Sequence, residues 1–193
     1  MKLRIAERSG FDALLAALPD RGARRQTNIY FDTRDRSLMR AGDSVRVRLE
    51  ESRILLTIKR APVASAGVIE SSEYESELPS SLWSEIADGK APLSSAARLR
   101  PILEDVLAGE SVSEIGRLEN TRHLREGPGG VLYEIDETRF PWGETHFELE
   151  IETEGAVAEL ARARALLDRL GVAYDDAVST KQARLLRGLG GAD

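Results

Sequence analysis

Polar and apolar residues alternate along much of this chain, and the alternation marks its strands. From Asp43 to Glu50, Val45, Val47 and Leu49 take one face while Ser44, Arg46, Arg48 and Glu50 take the other. That period of two belongs to a strand with one face buried. Arg53 to Arg60 reads as its hairpin partner, with Ile54, Leu56 and Ile58 opposite Thr57 and Lys59. Gln26 to Thr33 (QTNIYFDT) is rich in the aromatic and β-branched residues that strands favour. Val68 to Leu78 is predicted as one strand carrying Glu73, Glu75 and Glu77 at period two. Three more strands follow, at about Glu114 to Glu126, Val131 to Phe140 and Glu144 to Thr153, separated by the turn signals GPGG and PWG. Lys2 to Ala6 reads as a short first strand.

The remaining apolar positions have helical spacing. Phe11, Leu14, Leu15 and Leu18 predict a helix opened by a Ser9/Asp12 capping pattern and ended by Pro19. RDRSLMRAGD reads as a turn with a short helical piece, and helices are expected over Ser81 to Asp88 and about Leu93 to Leu107, with Pro101 dividing the latter or starting its last part. Val157, Leu160, Leu167 and Leu170 define a further helical stripe that Gly171 terminates. A last helix, about Ser179 to Leu189, carries Lys181 and Arg184, and the GLGGAD tail is expected to fray. With no repeat, low-complexity linker or composition break, residues 1–193 read as one domain. Strands arriving mostly as hairpins predict an antiparallel α+β architecture.

Composition narrows the chemistry. Hydrophobic residues make up 41% and charged residues 31% of the 193, a globular balance with a highly charged remainder. The absence of cysteine excludes disulfides, thiolate metal sites and a cysteine nucleophile. No apolar run approaches the ~20 residues of a membrane span, and MKLRIAERSG has no apolar signal core, so no membrane association and a cytoplasmic location are expected. The net charge of −6 argues against broad contact with nucleic acid, so the basic residues must act locally. Only four of the 27 basic residues are Lys (Lys2, Lys59, Lys90 and Lys181), which draws attention to those positions.

The polar strand faces suggest where that local action lies. One strand presents Arg46 and Arg48, its neighbour Lys59, and a third Glu73, Glu75 and Glu77. HFELEIE presents Glu148, Glu150 and Glu152, and the strand before it Glu134 and Asp136. A solvated sheet face explains any one of these strands. Taken together, with amphipathic helices available to cover the apolar faces, they predict a closed antiparallel eight-stranded β-barrel with its helices outside and a charged interior. Such an interior repels itself unless occupied. A divalent cation such as Mg²⁺ or Mn²⁺ suits the carboxylates, and a phosphate chain suits the Arg and Lys side chains. The only histidines, His123 and His146, form no Ser-His-Asp pattern, and Tyr30, Phe31 and Trp142 read as packing residues.

QTNIYFDT, AGDSVRVRLE, LLTIKR, EYESEL, ENTRHLRE, YEIDETRFPWGETHFELEIE and STKQAR occur here in that order. The ordered set resembles the CYTH, or triphosphate tunnel metalloenzyme, family over nearly the whole chain. That family includes inorganic triphosphatases, thiamine triphosphatases and class IV adenylate cyclases. Its first strand bears Glu-x-Glu-x-Lys; aligned on Lys2, the two glutamate positions precede Met1. Thr180 stands where the family's C-terminal motif has Ser.

The resemblance implies a metal-dependent triphosphatase acting on a small-molecule triphosphate, most simply inorganic tripolyphosphate, as a monomer or homodimer. Arg46, Arg48, Lys59, Arg122, Lys181 and Arg184 would grip phosphates. Glu73, Glu75, Asp136, Glu148, Glu150 and Glu152 would supply metal ligands for Mg²⁺ or Mn²⁺. Lys2, Glu148 and Glu150 would be catalytic. A class IV-type adenylate cyclase and a non-catalytic polyphosphate- or nucleotide-binding module are the alternatives.

Overall fold

Alternation becomes strand where the pattern predicts it, and each strand's apolar face finds a helix. The computed structural model describes residues 1–61, 63–65, 68–70, 72–153, 156–177 and 179–190. The described elements are β1 (Lys2–Ile5), α1 (Arg8–Ala17), β2 (Asp20–Thr33), α2 (Ser37–Ala41), β3 (Ser44–Glu50), β4 (Ile54–Lys59), β5 (Val63–Ser65), β6 (Val68–Glu70), β7 (Glu73–Glu77), α3 (Ser80–Ala87), α4 (Arg100–Leu107), β8 (Val112–Glu126), β9 (Leu132–Arg139), β10 (Thr145–Ile151), α5 (Ala156–Arg169), β11 (Tyr174–Asp176) and α6 (Lys181–Gly188). Nine strands form one large antiparallel sheet in the order β11-β1-β10-β9-β8-β2-β3-β4-β7, and β5 and β6 form a separate hairpin.

Among the described residues β11 and β7 end that order with no ladder between them, so the sheet is not closed. The expected closed eight-stranded barrel is therefore corrected to an open nine-stranded sheet. Alternation reports which face of a strand is wetted but carries nothing about whether its two edges meet. The edge strands are short, three and five residues, the usual form of an edge left unpaired.

The chain forms two compact units. The first comprises Met1–Gln26 and Leu118–Thr180, the second Thr27–Arg117 and the segment from Lys181 onward. In the first, Leu3 and Ile5 of β1, Tyr133 and Ile135 of β9, and Phe147, Leu149 and Ile151 of β10 pack with Phe11 and Leu14 of α1 and with Ala163, Leu166 and Leu167 of α5. Burying each such aliphatic or aromatic side chain contributes about 1.5–3 kcal/mol. Glu159 is buried in this layer because the Tyr133 hydroxyl donates to its Oε1 at 2.6 Å and Arg162 Nη1 donates to its Oε2 at 2.8 Å. Gly127 admits the Tyr133 ring, since a Cβ there would lie 2.3 Å from a ring carbon.

Two helix details differ from expectation. α1 is flanked by Glu7 with no side-chain cap, and Ser9 reaches only the Glu7 carboxylate, so the Ser9/Asp12 capping pattern does not form. Val157 is 86% exposed, whereas Leu160, Leu167 and Leu170 of the expected stripe pack in this core beside Ala163 and Leu166.

In the second unit, Ile29 and Phe31 of β2, Val45 and Val47 of β3, and Leu56 and Ile58 of β4 share a core with Leu93, Leu99, Leu103 and Leu107. Asp32 is fully buried, and its carboxylate accepts the backbone N–H groups of Thr33, Leu38 and Met39 at 2.7, 3.1 and 3.2 Å. That explains the aspartate of QTNIYFDT, which closes the turn from β2 into α2. Pro101 starts α4. The expected Val68–Leu78 strand is two strands, β6 and β7, and Ser71 between them lies outside the described residues. The GLGGAD tail lies partly outside them also.

Candidate active site

The register of β1, β10, β9 and β8 creates the charged face of the first unit. Lys2 stands opposite Glu150, Glu150 opposite Glu134, Glu148 opposite Asp136, and Asp136 opposite Arg122. Since the odd-numbered positions of β1, β9 and β10 form the core, these even-numbered side chains project to the other face. Lys2 Nζ lies 2.8 Å from Glu150 and 3.9 Å from Glu148. Arg122 donates through Nε and Nη2 to the two oxygens of Asp136, at 2.8 and 2.7 Å, and through Nη2 to Glu150 at 3.1 Å. Its Nη1 contacts Glu134 Oε2 as an ion pair without hydrogen-bond geometry.

The contacts of this face join four carboxylates (Glu134, Asp136, Glu148, Glu150) to Lys2 and Arg122. The electrostatics follow. Burial disfavours the Arg122 charge, but the Asp136 hydrogen bonds and the nearby Glu150 and Glu134 outweigh it and hold the guanidinium pKa above its ordinary value. Glu134 is pushed above the usual carboxylate range, first by burial and then by Glu150 and Asp136, against the opposing effect of Arg122.

The second unit carries the basic row. Arg46 and Arg48 of β3 share a face with Thr57 and Lys59 of β4 and with Glu73 and Glu75 of β7, because Arg46 stands opposite Thr57 and Lys59 opposite Glu73. Glu73 pairs with Lys59 at 2.8 Å and with Arg46 at 3.6 Å, while Glu75 accepts the Thr57 hydroxyl at 3.1 Å. Arg48 donates to Asn28 at 3.3 Å and lies 3.9 Å from Glu50. Arg46 Nε is buried without a hydrogen-bond partner among the described residues. Lys181 and Arg184 are both buried on α6 of this unit.

The predicted residues thus fall into two sets. Lys2, Arg122, Asp136, Glu148 and Glu150 come together in the first unit, and Arg46, Arg48, Lys59, Glu73 and Glu75 in the second. Glu152 is exposed beyond the end of β10. Sequence reasoning passed over Gln26, Asn28, Asn120 and Thr138, buried polar groups that share a parity with the charged positions of their strands. The signal was present: in QTNIYFDT, Gln26 and Asn28 alternate with the core residues Ile29 and Phe31. His146 packs on Phe140, with ring centroids 4.7 Å apart, and Trp142 stacks on Phe140 at 4.8 Å, consistent with packing. A cavity of about 720 Å³ in the second unit is lined by Ile29, Phe31, Trp83 and Leu93 and holds none of the predicted residues.

Among the described residues no three His, Asp or Glu side chains converge as a formed metal site. The donor chemistry of the first unit nonetheless fits a hard divalent cation. Its donors are all carboxylate oxygens on adjacent strands, and buried Glu134 Oε2 lacks a hydrogen bond among the described residues.

The sequence profile of the CYTH domain matches residues 1–180. No curated protein matches the chain. Among solved structures, HpAC1 of Hippeastrum, named as an adenylyl cyclase and reported to have a dominant triphosphatase activity, superposes with a TM-score of 0.86 at 24% identity, covering 97% of this chain and 94% of that one. A Bacillus halodurans protein named as an adenylate cyclase gives 0.75 at 17% identity, covering 95% of each chain. A Pyrococcus horikoshii protein gives 0.62 at 16% identity, covering 97% of this chain and 98% of that one. At these identities the likeness concerns the fold, and the family follows from the profile match across 180 residues: the chain belongs to the CYTH domain family.

Proposed function

We propose that this chain is a divalent-metal-dependent triphosphatase that hydrolyses inorganic tripolyphosphate. The observation that carries the reading is the acidic row of β9 and β10, where Glu134, Asp136, Glu148 and Glu150 stand side by side on one sheet face with Lys2 and Arg122 among them. Carboxylates set side by side repel one another, and a hard divalent cation relieves that repulsion. The triphosphatase activity reported for HpAC1 supports the same reading.

In this assignment Glu148, Glu150 and Asp136 of the first unit, with Glu152 as a further candidate, would hold Mg²⁺ or Mn²⁺, and Glu73 and Glu75 are the corresponding candidates within the second unit. When bound, the metal supplies charge neutralisation and Lewis acidity at the phosphate oxygens. In the first unit the remaining N–H of Arg122 binds phosphate oxygens and offsets charge on the leaving diphosphate, and in the second unit Arg46, Arg48, Lys59, Lys181 and Arg184 are the phosphate-binding candidates. A water oxygen bonds to the terminal phosphorus, the bond from that phosphorus to the bridging oxygen breaks, and a carboxylate of the row takes the water proton. Lys2 neutralises Glu148 and Glu150 and keeps the pair in place.

The test is phosphate release from tripolyphosphate, ATP and thiamine triphosphate with Mg²⁺, Mn²⁺ or EDTA. The expected result is metal-dependent release from tripolyphosphate, reduced at least about 100-fold in a Glu148→Ala, Glu150→Ala variant. Cyclic nucleotide and pyrophosphate from ATP would assign a cyclase instead. Stabilisation by tripolyphosphate without turnover would assign a binding module.

A further inference from the structure

Behind the acidic row lies a buried amide that the assignment above does not use. Asn120 of β8 is 4% exposed. Its Oδ1 accepts the Thr138 hydroxyl at 2.7 Å, and its Nδ2 donates to Asp136 Oδ1 and to Gln26 Oε1, each at 3.1 Å. Because a carboxylate is an acceptor only, Asp136 dictates which end of the amide faces it, and the Gln26 and Thr138 contacts agree with that orientation. Asp136 Oδ1 therefore holds two donors, Asn120 Nδ2 and Arg122 Nε. The chain of contacts continues through Arg122 to Glu150 and Glu134.

We infer that Asn120 is a positioning residue of the triphosphate site: by anchoring Asp136 it sets the plane of the Arg122 guanidinium, and so fixes where Arg122, Glu134 and Glu150 meet a polyphosphate. The kinetic consequence rests on the triphosphatase reading; the geometric one does not. Asn120 acts through Asp136 and touches no substrate. The residue type is constrained from both sides. Aspartate at 120 is isosteric, but it would set a second carboxylate at hydrogen-bonding distance from Asp136 and repel it. Alanine would leave the fully buried Thr138 hydroxyl without its acceptor and Asp136 short of a donor. A buried set of mutual hydrogen bonds such as Thr138–Asn120–Asp136–Arg122 holds one arrangement, and that rigidity is what an aligned cation requires.

The test compares wild type with Asn120→Asp, Thr138→Val and Thr138→Ser. Two readouts are taken: the Arg122 Nε–H resonance of the ligand-free protein labelled with ¹⁵N-arginine, and steady-state hydrolysis of tripolyphosphate with Mg²⁺. Asn120→Asp is expected to shift the Arg122 resonance and raise KM about tenfold with kcat held within about threefold, the split expected when ground-state and transition-state binding weaken together. Thr138→Val should move both readouts in the same direction by less, and Thr138→Ser should restore wild-type values. Thr138→Val decides the matter if Asn120→Asp does not fold. If turnover is absent, the rise in Tm on adding tripolyphosphate replaces KM. An Arg122 resonance that stays in place, or one that moves with KM unchanged, overturns the inference alone. Wild-type protein neither turning over nor stabilised by tripolyphosphate defeats the triphosphate reading and this inference with it.

Discussion

The two units solve the same problem, a charged sheet face, in opposite ways. In the first, Asp136 and Glu148 are fully buried and Arg122 is 13% exposed, and the charges are held by several mutual contacts at once. In the second, Lys59 and Glu73 are 49% and 41% exposed, and their ion pair can be given up to water with little loss. A burial difference of this kind separates two roles. Charges locked into one another maintain a geometry, whereas charges paired loosely at the surface are free to exchange a partner for a ligand. Substitution of Asp136 or Arg122 should therefore be read mainly in stability, and of Lys59 or Glu73 mainly in affinity.

Asp136→Ala is the strongest challenge to that contrast. It strips the buried Arg122 guanidinium of its bidentate partner, and breaking such a pair costs roughly 3–5 kcal/mol. For a chain of this size that corresponds to a fall in Tm of roughly 6–20 °C. Thermal or urea unfolding of the metal-free protein measures it. A loss below about 1 kcal/mol would mean that Glu134 and Glu150 suffice to hold Arg122, and that Asp136 is not its geometric anchor.

Arg46→Ala tests the other side and should act less on the fold. Its ion pair with Glu73 is long at 3.6 Å, and its Nε is unpartnered among the described residues. Stability should change by less than about 1 kcal/mol, while KM for tripolyphosphate rises about tenfold, the loss of one charge-assisted contact. A variant that loses stability and keeps its KM would reverse the contrast between the units.

How far the sequence could anticipate this follows from what each pattern encodes. The β3–β4 hairpin and its charged face were legible because Val45, Val47, Leu56 and Ile58 must all be buried together, and one register allows it. The early half of β2 was not: residues 21–25 are exposed on both faces, so there is no apolar alternation to read. β11 escaped because three residues are too few to show a period. The site residue types were legible as a charged parity on each strand, but their partners were not. That Arg122 binds Asp136, Glu150 and Glu134 depends on how β8, β9 and β10 are staggered, which no local pattern states. The open sheet and the exposed Val157 belong to the same class, set by packing between elements distant in sequence.

The smallest expected effect sharpens the contrast within the first unit, on the reverse face of β8 from Arg122. His123 packs edge-on against Phe11 at 5.7 Å, and its pKa is held below the ordinary 6.5, first by burial and then by Arg125, against the opposing influence of Glu137, Asp20 and Asp136. In the window below 6.5 the unfolded chain binds more protons at this position than the folded one, so its contribution to stability is complete above that window and declines as the pH falls through it. Glu134 acts with the opposite sign: its raised pKa makes stability decline as pH rises above its ordinary value of 4.5. A single pH profile therefore mixes the two, and a difference between variants separates them. Urea unfolding of wild type and His123→Gln between about pH 7.5 and about pH 5.5 should show the wild type losing stability faster on acidification. Arg46→Ala should retain the wild-type slope, because its row lies in the other unit. Identical slopes for wild type and His123→Gln would show that the Phe11 packing leaves the imidazole free to protonate in the folded state, and that the first unit's resistance to charge rearrangement is confined to the face carrying Arg122.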